Sequence, residues 1–163
     1  MRKPATQQVN IRRATDRDNE GILNCLSSAF ATYHDFYTPA AFQDTVLTPE
    51  LLKQRLKSMS VFVAETSSGQ IFGTIACSQV SQLEGHLRGM GVVPEWQGRG
   101  VAKKLLDCAQ NELREFGCER ITLDTTEPLV SAMRFYERNG FRRTGKVSDF
   151  FGMRLIEYAK EIS

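Results

Sequence analysis

Between Gly89 and Lys104 the sequence gathers four glycines, one proline and three cations. Glycine inside a strand weakens it, so Gly89 and Gly91 need a reason: a bulge, or close approach by a ligand or another backbone. Pro94 ends the strand ladder, because it has no N–H to donate. The run Gln97-Gly98-Arg99-Gly100-Val101-Ala102 follows, its glycines opening a helix. A loop of this kind feeding a helix N-terminus presents unpaired N–H groups and the positive end of the helix dipole, a setting that suits a pyrophosphate. Arg99, Lys103 and Lys104 add charge where the phosphates would lie. The chemistry implied is anion binding.

Known phosphate patterns narrow the ligand. The Walker pattern G-x-x-x-x-G-K-[ST] is absent. The dinucleotide fingerprint G-x-G-x-x-G is approached at Gly89-Met90-Gly91, but its sixth position is Pro94, and no acidic residue follows at the right place after a strand. Cys25, Cys77, Cys108 and Cys118 are widely spaced without a C-x-x-C pair, and no Ser–His–Asp order stands out. No metal site is expected. Cys25, Cys77 and Cys108 sit in apolar patterns and read as buried, reduced thiols.

The elements that would hold this loop follow from hydrophobic period. Val9–Arg13 reads as a strand, and Asp16 as the N-cap of an amphipathic stretch carrying Ile22, Leu23, Leu26 and Phe30. Tyr33, His34, Phe36, Tyr37 and Phe42 follow in a segment broken by Pro39, and Pro49 starts a short helix with Leu51, Leu52 and Leu56 on one side. Strands are expected over Val61–Glu65, Ile71–Val80 and His86–Val93. Val101, Leu105, Ala109 and Leu113 form one row of a helix that Gly117 stops. A strand at Ile121–Asp124, a helix through Leu129, Ala132, Met133 and Tyr136 stopped by Gly140, and two strands from Phe141 to Tyr158 complete the chain. This order argues for a mixed α/β sheet covered by helices, in one domain over residues 1–163.

Composition is that of an ordinary globular chain, 41% hydrophobic and 25% charged, with a net charge of +2. That charge is too mild to argue for a nucleic-acid or membrane partner, and the arginines near Arg138 lack an aromatic platform. Met1–Val9 is polar and without a signal-peptide core, and no window approaches a membrane span, so a cytoplasmic protein is expected.

The glycine loop resembles the Q/R-x-x-G-x-G/A signature of GNAT N-acetyltransferases, preceded by that family's strand, V-x-P and aromatic (Val92, Pro94 and Trp96). Phe135-Tyr136-Glu137-Arg138-Asn139-Gly140-Phe141 is similar to the family's F/L-Y-E-x-x-G-F motif, one helix and one strand downstream. The resemblance extends from Val9 to Tyr158. It implies a single α/β domain with a mixed, mostly antiparallel central sheet flanked by helices, and acetyl-CoA as acetyl donor. Backbone groups of Met90, Gly91 and Val92 would pair with the pantetheine arm, one N–H polarising the thioester carbonyl. Gln97, Gly98, Arg99, Gly100, Val101, Ala102 and Lys103 would hold the pyrophosphate.

By the same resemblance a neutral amine attacks the thioester directly, with no acyl-enzyme. His86 is the leading base and Tyr136 the acid that reprotonates the leaving thiolate; His34 and Glu127 are weaker candidates for the base. A histidine there also fits a hydrogen-bonded strand residue, and Tyr136 also fits the apolar row of its helix. Tyr33, His34 and Tyr37 fall where the acceptor is held, although helix packing explains them equally well. Arg88 would orient an acidic acceptor or form an ion pair on the sheet, and Trp96 reads as a structural plug. Leu129 stands where many members carry an Asn that touches the cofactor. The acceptor, an amine-bearing small molecule or peptide, is not named by the sequence, and a homodimer is open. The competing reading is a non-catalytic acyl-CoA-binding or sensing module of the same fold.

Overall fold

The computed structural model describes residues 9–162; the polar stretch before Val9 lies outside them. β1 (Asn10–Arg13) leads into a 3-10 turn over Asp16–Asp18 and then helix α1 (Asn19–Phe30). The cap is Thr15 rather than Asp16: the Asp18 carboxylate accepts from Thr15 N at 2.8 Å in a capping box, while Asp16 is exposed. Ile22, Cys25, Leu26 and Ala29 are the buried residues of α1, at the three- and four-residue spacing of one helical face. A second 3-10 turn (Ala31–Phe36) carries the aromatic segment. Thr38-Pro39 and Thr48-Pro49 then start α2 (Pro39–Val46) and α3 (Pro49–Ser58), threonine capping and proline in the first turn in both.

Strands β2 (Ser60–Glu65), β3 (Ile71–Gln79) and β4 (Glu84–Val92) form an antiparallel meander. Helix α4 (Val101–Glu115), β5 (Arg120–Thr126), helix α5 (Val130–Arg138), β6 (Arg142–Phe150) and β7 (Met153–Glu161) follow. The sheet has seven strands in the order β1-β2-β3-β4-β5-β7-β6, and only β4–β5 is parallel. The mixed, mostly antiparallel α/β fold expected from the sequence is the fold observed.

Alternation along β2 divides the core between two faces. Phe62 and Ala64 join the larger cluster with Val101, Leu105 and Leu113 of α4; Val61 and Val63 join Ile22 and Leu26 of α1 and Leu52 of α3 on the other side. Gly117 and Gly140 stop α4 and α5 at positive φ, as the sequence suggests. One expectation shifts. β4 begins at Glu84, so His86 is an interior strand residue opposite Thr122 and not the strand's start. Residues 142–149 of β6, at the sheet edge, are exposed throughout.

One irregularity makes the site. Parallel pairing of β4 with β5 runs from Glu84↔Arg120 to Leu87↔Leu123 and stops, although β4 continues to Val92 and β5 to Thr126. The β3–β4 register slips between Thr74 and Ala76, and opposite that slip Gly89 takes φ +64°, a left-handed value that favours glycine. β5 stays paired with β7 up to Thr126↔Leu155 and β4 with β3 up to Val92↔Gly73, so the two strands part from each other while each keeps its outer neighbour, with the bulge at Gly89 on the β4 side.

Candidate active site

The parted strands open into a cavity of about 870 Å³, walled by Leu87–Val92 of β4 and Leu123–Thr126 of β5. It has a half built from backbone and a half built from side chains.

The backbone half lies at the α4 N-terminus. Gly98 and Gly100 adopt φ +76° and +80°, and a Cβ at either would meet nothing within 4 Å. Gly100 is the N-cap of α4 without a side-chain cap, and the first backbone bond back to it comes from Lys104 N. The N–H groups of the first turn, Val101 to Lys103, therefore face open space at the positive end of a fifteen-residue helix. This cradle fits a pyrophosphate, and the unpaired edge of β4 beyond Leu87 fits an extended arm that takes the place of a neighbouring strand. Met90, Gly91, Val92, Gln97, Gly98, Gly100, Val101, Ala102 and Lys103 all line the cavity.

Two residues of this half do something other than the sequence suggested. The Gln97 amide donates to Val92 O at 2.9 Å, so its side chain braces the loop against the strand end. Arg99 is outside the cavity wall, with its guanidinium 5.0 Å from the Trp96 ring centroid. Trp96 stacks on Phe72 at 4.0 Å and so plugs the loop onto the core, as expected. Leu129 lines the cavity and offers no hydrogen bond, but the hydroxyl of Ser131 lies on the same wall.

The side-chain half carries the titratable groups. Tyr136 is buried and its ring meets Phe135 and Phe141 edge-on at 5.4 and 5.7 Å. Burial pushes its phenol well above the ordinary value, so it stays protonated. Its hydroxyl has no hydrogen-bond partner among the described residues. His86 Nδ1 lies 2.8 Å from Thr122 Oγ1, and Thr122 Oγ1 in turn donates to Gly85 O at 3.5 Å. The other ring nitrogen, Nε2, lies 3.7 Å from Asp124 Oδ2. Desolvation lowers the His86 pKa, outweighing the opposing pull of Asp124, so the ring is neutral near pH 7. Desolvation likewise raises the Asp124 carboxyl, with His86 drawing it back.

Tyr33, Tyr37 and Arg88 line this half, and Tyr37 OH shares a 2.6 Å hydrogen bond with Thr126 Oγ1 that ties the aromatic segment to the end of β5. His34 does not line it. Its ring is exposed, bonded to Asp35 at 3.1 Å and set edge-on to Phe42 at 4.9 Å, because the 3-10 turn points it away from the sheet. Glu127 is likewise spent at the surface on Arg154. The sequence reading missed Asp44, bonded to Arg88 at 2.7 Å, and Arg55 of α3, nine-tenths buried in the same wall. It also missed Thr125, whose buried hydroxyl has no partner. Nothing in a helical pattern distinguishes Arg55 from a surface arginine, since only the docked α3 decides which way it points.

The model of the Acetyltransferase (GNAT) family matches residues 24–141, more than half of the chain. The chain belongs to the GNAT acetyltransferase family. Acetyl-CoA is the acetyl donor of a GNAT acetyltransferase and of this chain. Among solved structures, a GNAT-family acetyltransferase from Staphylococcus aureus Mu50 superposes with a TM-score of 0.78 at 22% identity, over 96% of this chain and 100% of that one. The PaiA N-acetyltransferase of Thermoplasma acidophilum, in complex with coenzyme A, gives 0.77 at 19% identity, over 95% and 99%. The ribosomal-protein-S18-alanine N-acetyltransferase of Escherichia coli gives 0.76 at 18%, over 96% and 95%. At these identities the structures speak for the fold alone.

Proposed function

We propose that this GNAT protein transfers the acetyl group to a primary amine by direct attack, with His86 handling the incoming proton and Tyr136 the outgoing one. The observation that carries the reading is the pairing of two groups of opposite readiness in one cavity: a neutral imidazole with a basic nitrogen, and a phenol held protonated. An alkyl amine with pKa about 10.4 arrives mostly protonated and needs a base within reach. The thioester supplies an activated acyl carbonyl. The chain does the rest: β4 N–H groups beyond Leu87 orient and polarise that carbonyl, the α4 N-terminus anchors the pyrophosphate, and Tyr136 donates to the departing sulfur.

No covalent enzyme intermediate is invoked, because no cysteine is placed or poised to form one. None of the four lines the cavity, and burial pushes the Cys25 and Cys77 thiols up to about 12. Four free cysteines fit a reducing compartment, and we place the protein in the cytoplasm on that ground. No helix among the described residues is long and apolar enough to cross a membrane.

The test is acetyl transfer from acetyl-CoA to a panel of amines, followed by free-thiol release and product mass. Transfer with a cysteine-free variant active at the wild-type rate supports direct attack. An acetyl-cysteine that forms and decays at the turnover rate overturns it. CoA binding without transfer to any amine would favour the sensing module.

A further inference from the structure

Arg55 is 9% exposed, lines the cavity from α3, and has no carboxylate, hydroxyl or carbonyl in hydrogen-bond reach among the described residues. Elsewhere the fold treats a partly buried arginine differently. Arg12, with a side chain 34% exposed, is held by Asp18 at 2.8 Å and by Glu65 at 3.0 Å. The closest candidate counter-charge for Arg55 is Asp44, and Arg88 already holds it at 2.7 Å. Arg88 takes up Asp44 in an ion pair, and Asp124, the carboxylate on the β5 wall, faces His86, so Arg55 is left without a bonded counter-charge. Burial and the neighbouring Arg88 push the Arg55 pKa down to about 10, the sign of a cation short of a partner.

The space for this cation is built into the fold. A Cβ on Gly89 would collide with Arg55 Nη1, so the glycine at the β4 bulge also clears room for the guanidinium. Arg55 and His86, the proposed base, line the same cavity. An unpaired buried cation is costly and is normally neutralised, paired or used. A carboxylate can pair with a guanidinium fork through two parallel hydrogen bonds.

We propose that Arg55 is the specificity residue of the acceptor site, pairing with a carboxylate on a small amino acid whose amine is presented to His86. This rests on the transfer reading above for the role of His86, and on geometry alone for the anion subsite. Arg88, neutralised by Asp44, flanks that subsite.

The experiment titrates the CoA-bound protein by calorimetry with α-, β- and γ-amino acids and with the carboxamide of each, and then assays the same compounds for acetylation. At least one acid should bind about tenfold or more tighter than its carboxamide. Arg55→Gln should erase that preference, Arg55→Lys should keep part of it, and neither should change CoA affinity. The unliganded Arg55→Gln protein should melt at or above the wild-type Tm, because it loses an unpaired buried charge. If no acid outbinds its carboxamide, or if the preference survives in Arg55→Gln, the subsite is overturned. Should Arg55→Gln fail to fold, survival of the full preference in Arg55→Lys overturns the paired fork instead. Acids that bind through Arg55 and are never acetylated sink the transfer reading and leave the subsite standing. Equal acetylation of acids and carboxamides by the wild type does the reverse.

Discussion

The two halves of the cavity are made of different material. The half we assign to the donor offers main-chain N–H groups, exposed by Gly98 and Gly100 and by the strand edge beyond Leu87. The acceptor half uses side chains from β4, β5, α2, α3 and the aromatic turn, each placed by a different element. A backbone cradle depends on local conformation and therefore on few residue types, chiefly glycine. A side-chain pocket depends on how separate elements dock, and its residue types are free to differ. The first is suited to a fixed ligand and the second to a ligand that varies between proteins.

Substitutions that strike one half and spare the other sharpen the contrast. The largest effect is expected from Gly100→Val, which puts a β-branched residue at φ +80°. CoA affinity should fall on the order of 10³-fold as charge-assisted N–H contacts are lost. No protein atom lies within 4 Å of the new Cβ, so a cooperative melt should persist. Unchanged affinity by calorimetry would remove the loop from the donor site.

Tyr136→Phe comes next, with kcat lowered by about 10²- to 10³-fold at unchanged CoA affinity. A wild-type rate in single-turnover assays would make the tyrosine a packing residue.

His86→Gln should cost about 10²-fold near neutrality and less as pH rises and the amine deprotonates unaided. The wild-type acid limb of kcat/KM should fall below the ordinary imidazole value of about 6.5, because desolvation lowers the His86 pKa. Asp124, Glu157 and Glu84 oppose that shift and Arg88 adds to it. The same depression makes the His86 contribution to stability complete above about pH 6.5 and lost as pH falls through the folded value, since the unfolded chain binds the proton first. An acid limb above 6.5, or one that persists in His86→Gln, would transfer the base to another group.

Tyr37→Phe is the smallest perturbation. Loss of the 2.6 Å bond to Thr126 should cost about 1 kcal/mol and a few degrees of Tm, raise the acceptor KM and leave CoA affinity alone.

Legibility in the sequence follows the same division. Gly98 and Gly100 announce their conformation, because a left-handed backbone at a helix start needs glycine. Tyr136 was visible through its neighbours Glu137, Gly140 and Phe141. The cap at Thr15 was misread as Asp16, since either residue type can cap and only the fold shows which hydroxyl or carboxylate turns inward. His34 and Tyr37, three residues apart, looked alike in sequence. The 3-10 turn sends His34 to solvent and Tyr37 onto Thr126.

The sequence by itself determined most of the element order, the two glycine stops, the mixed sheet and the glycine loop before α4, because these rest on local period and on backbone freedom; α2 escaped it, since Pro39, read as a break, starts that helix. Only the tertiary structure decided that β4 leaves β5 after Leu87, that Gln97 is a brace, and that Arg55 stands buried and unpaired beside Gly89. The first and last depend on residues more than thirty positions apart meeting across the fold, and the brace on how the loop turns back onto the end of β4. Long-range docking of that kind leaves no periodic trace along the chain.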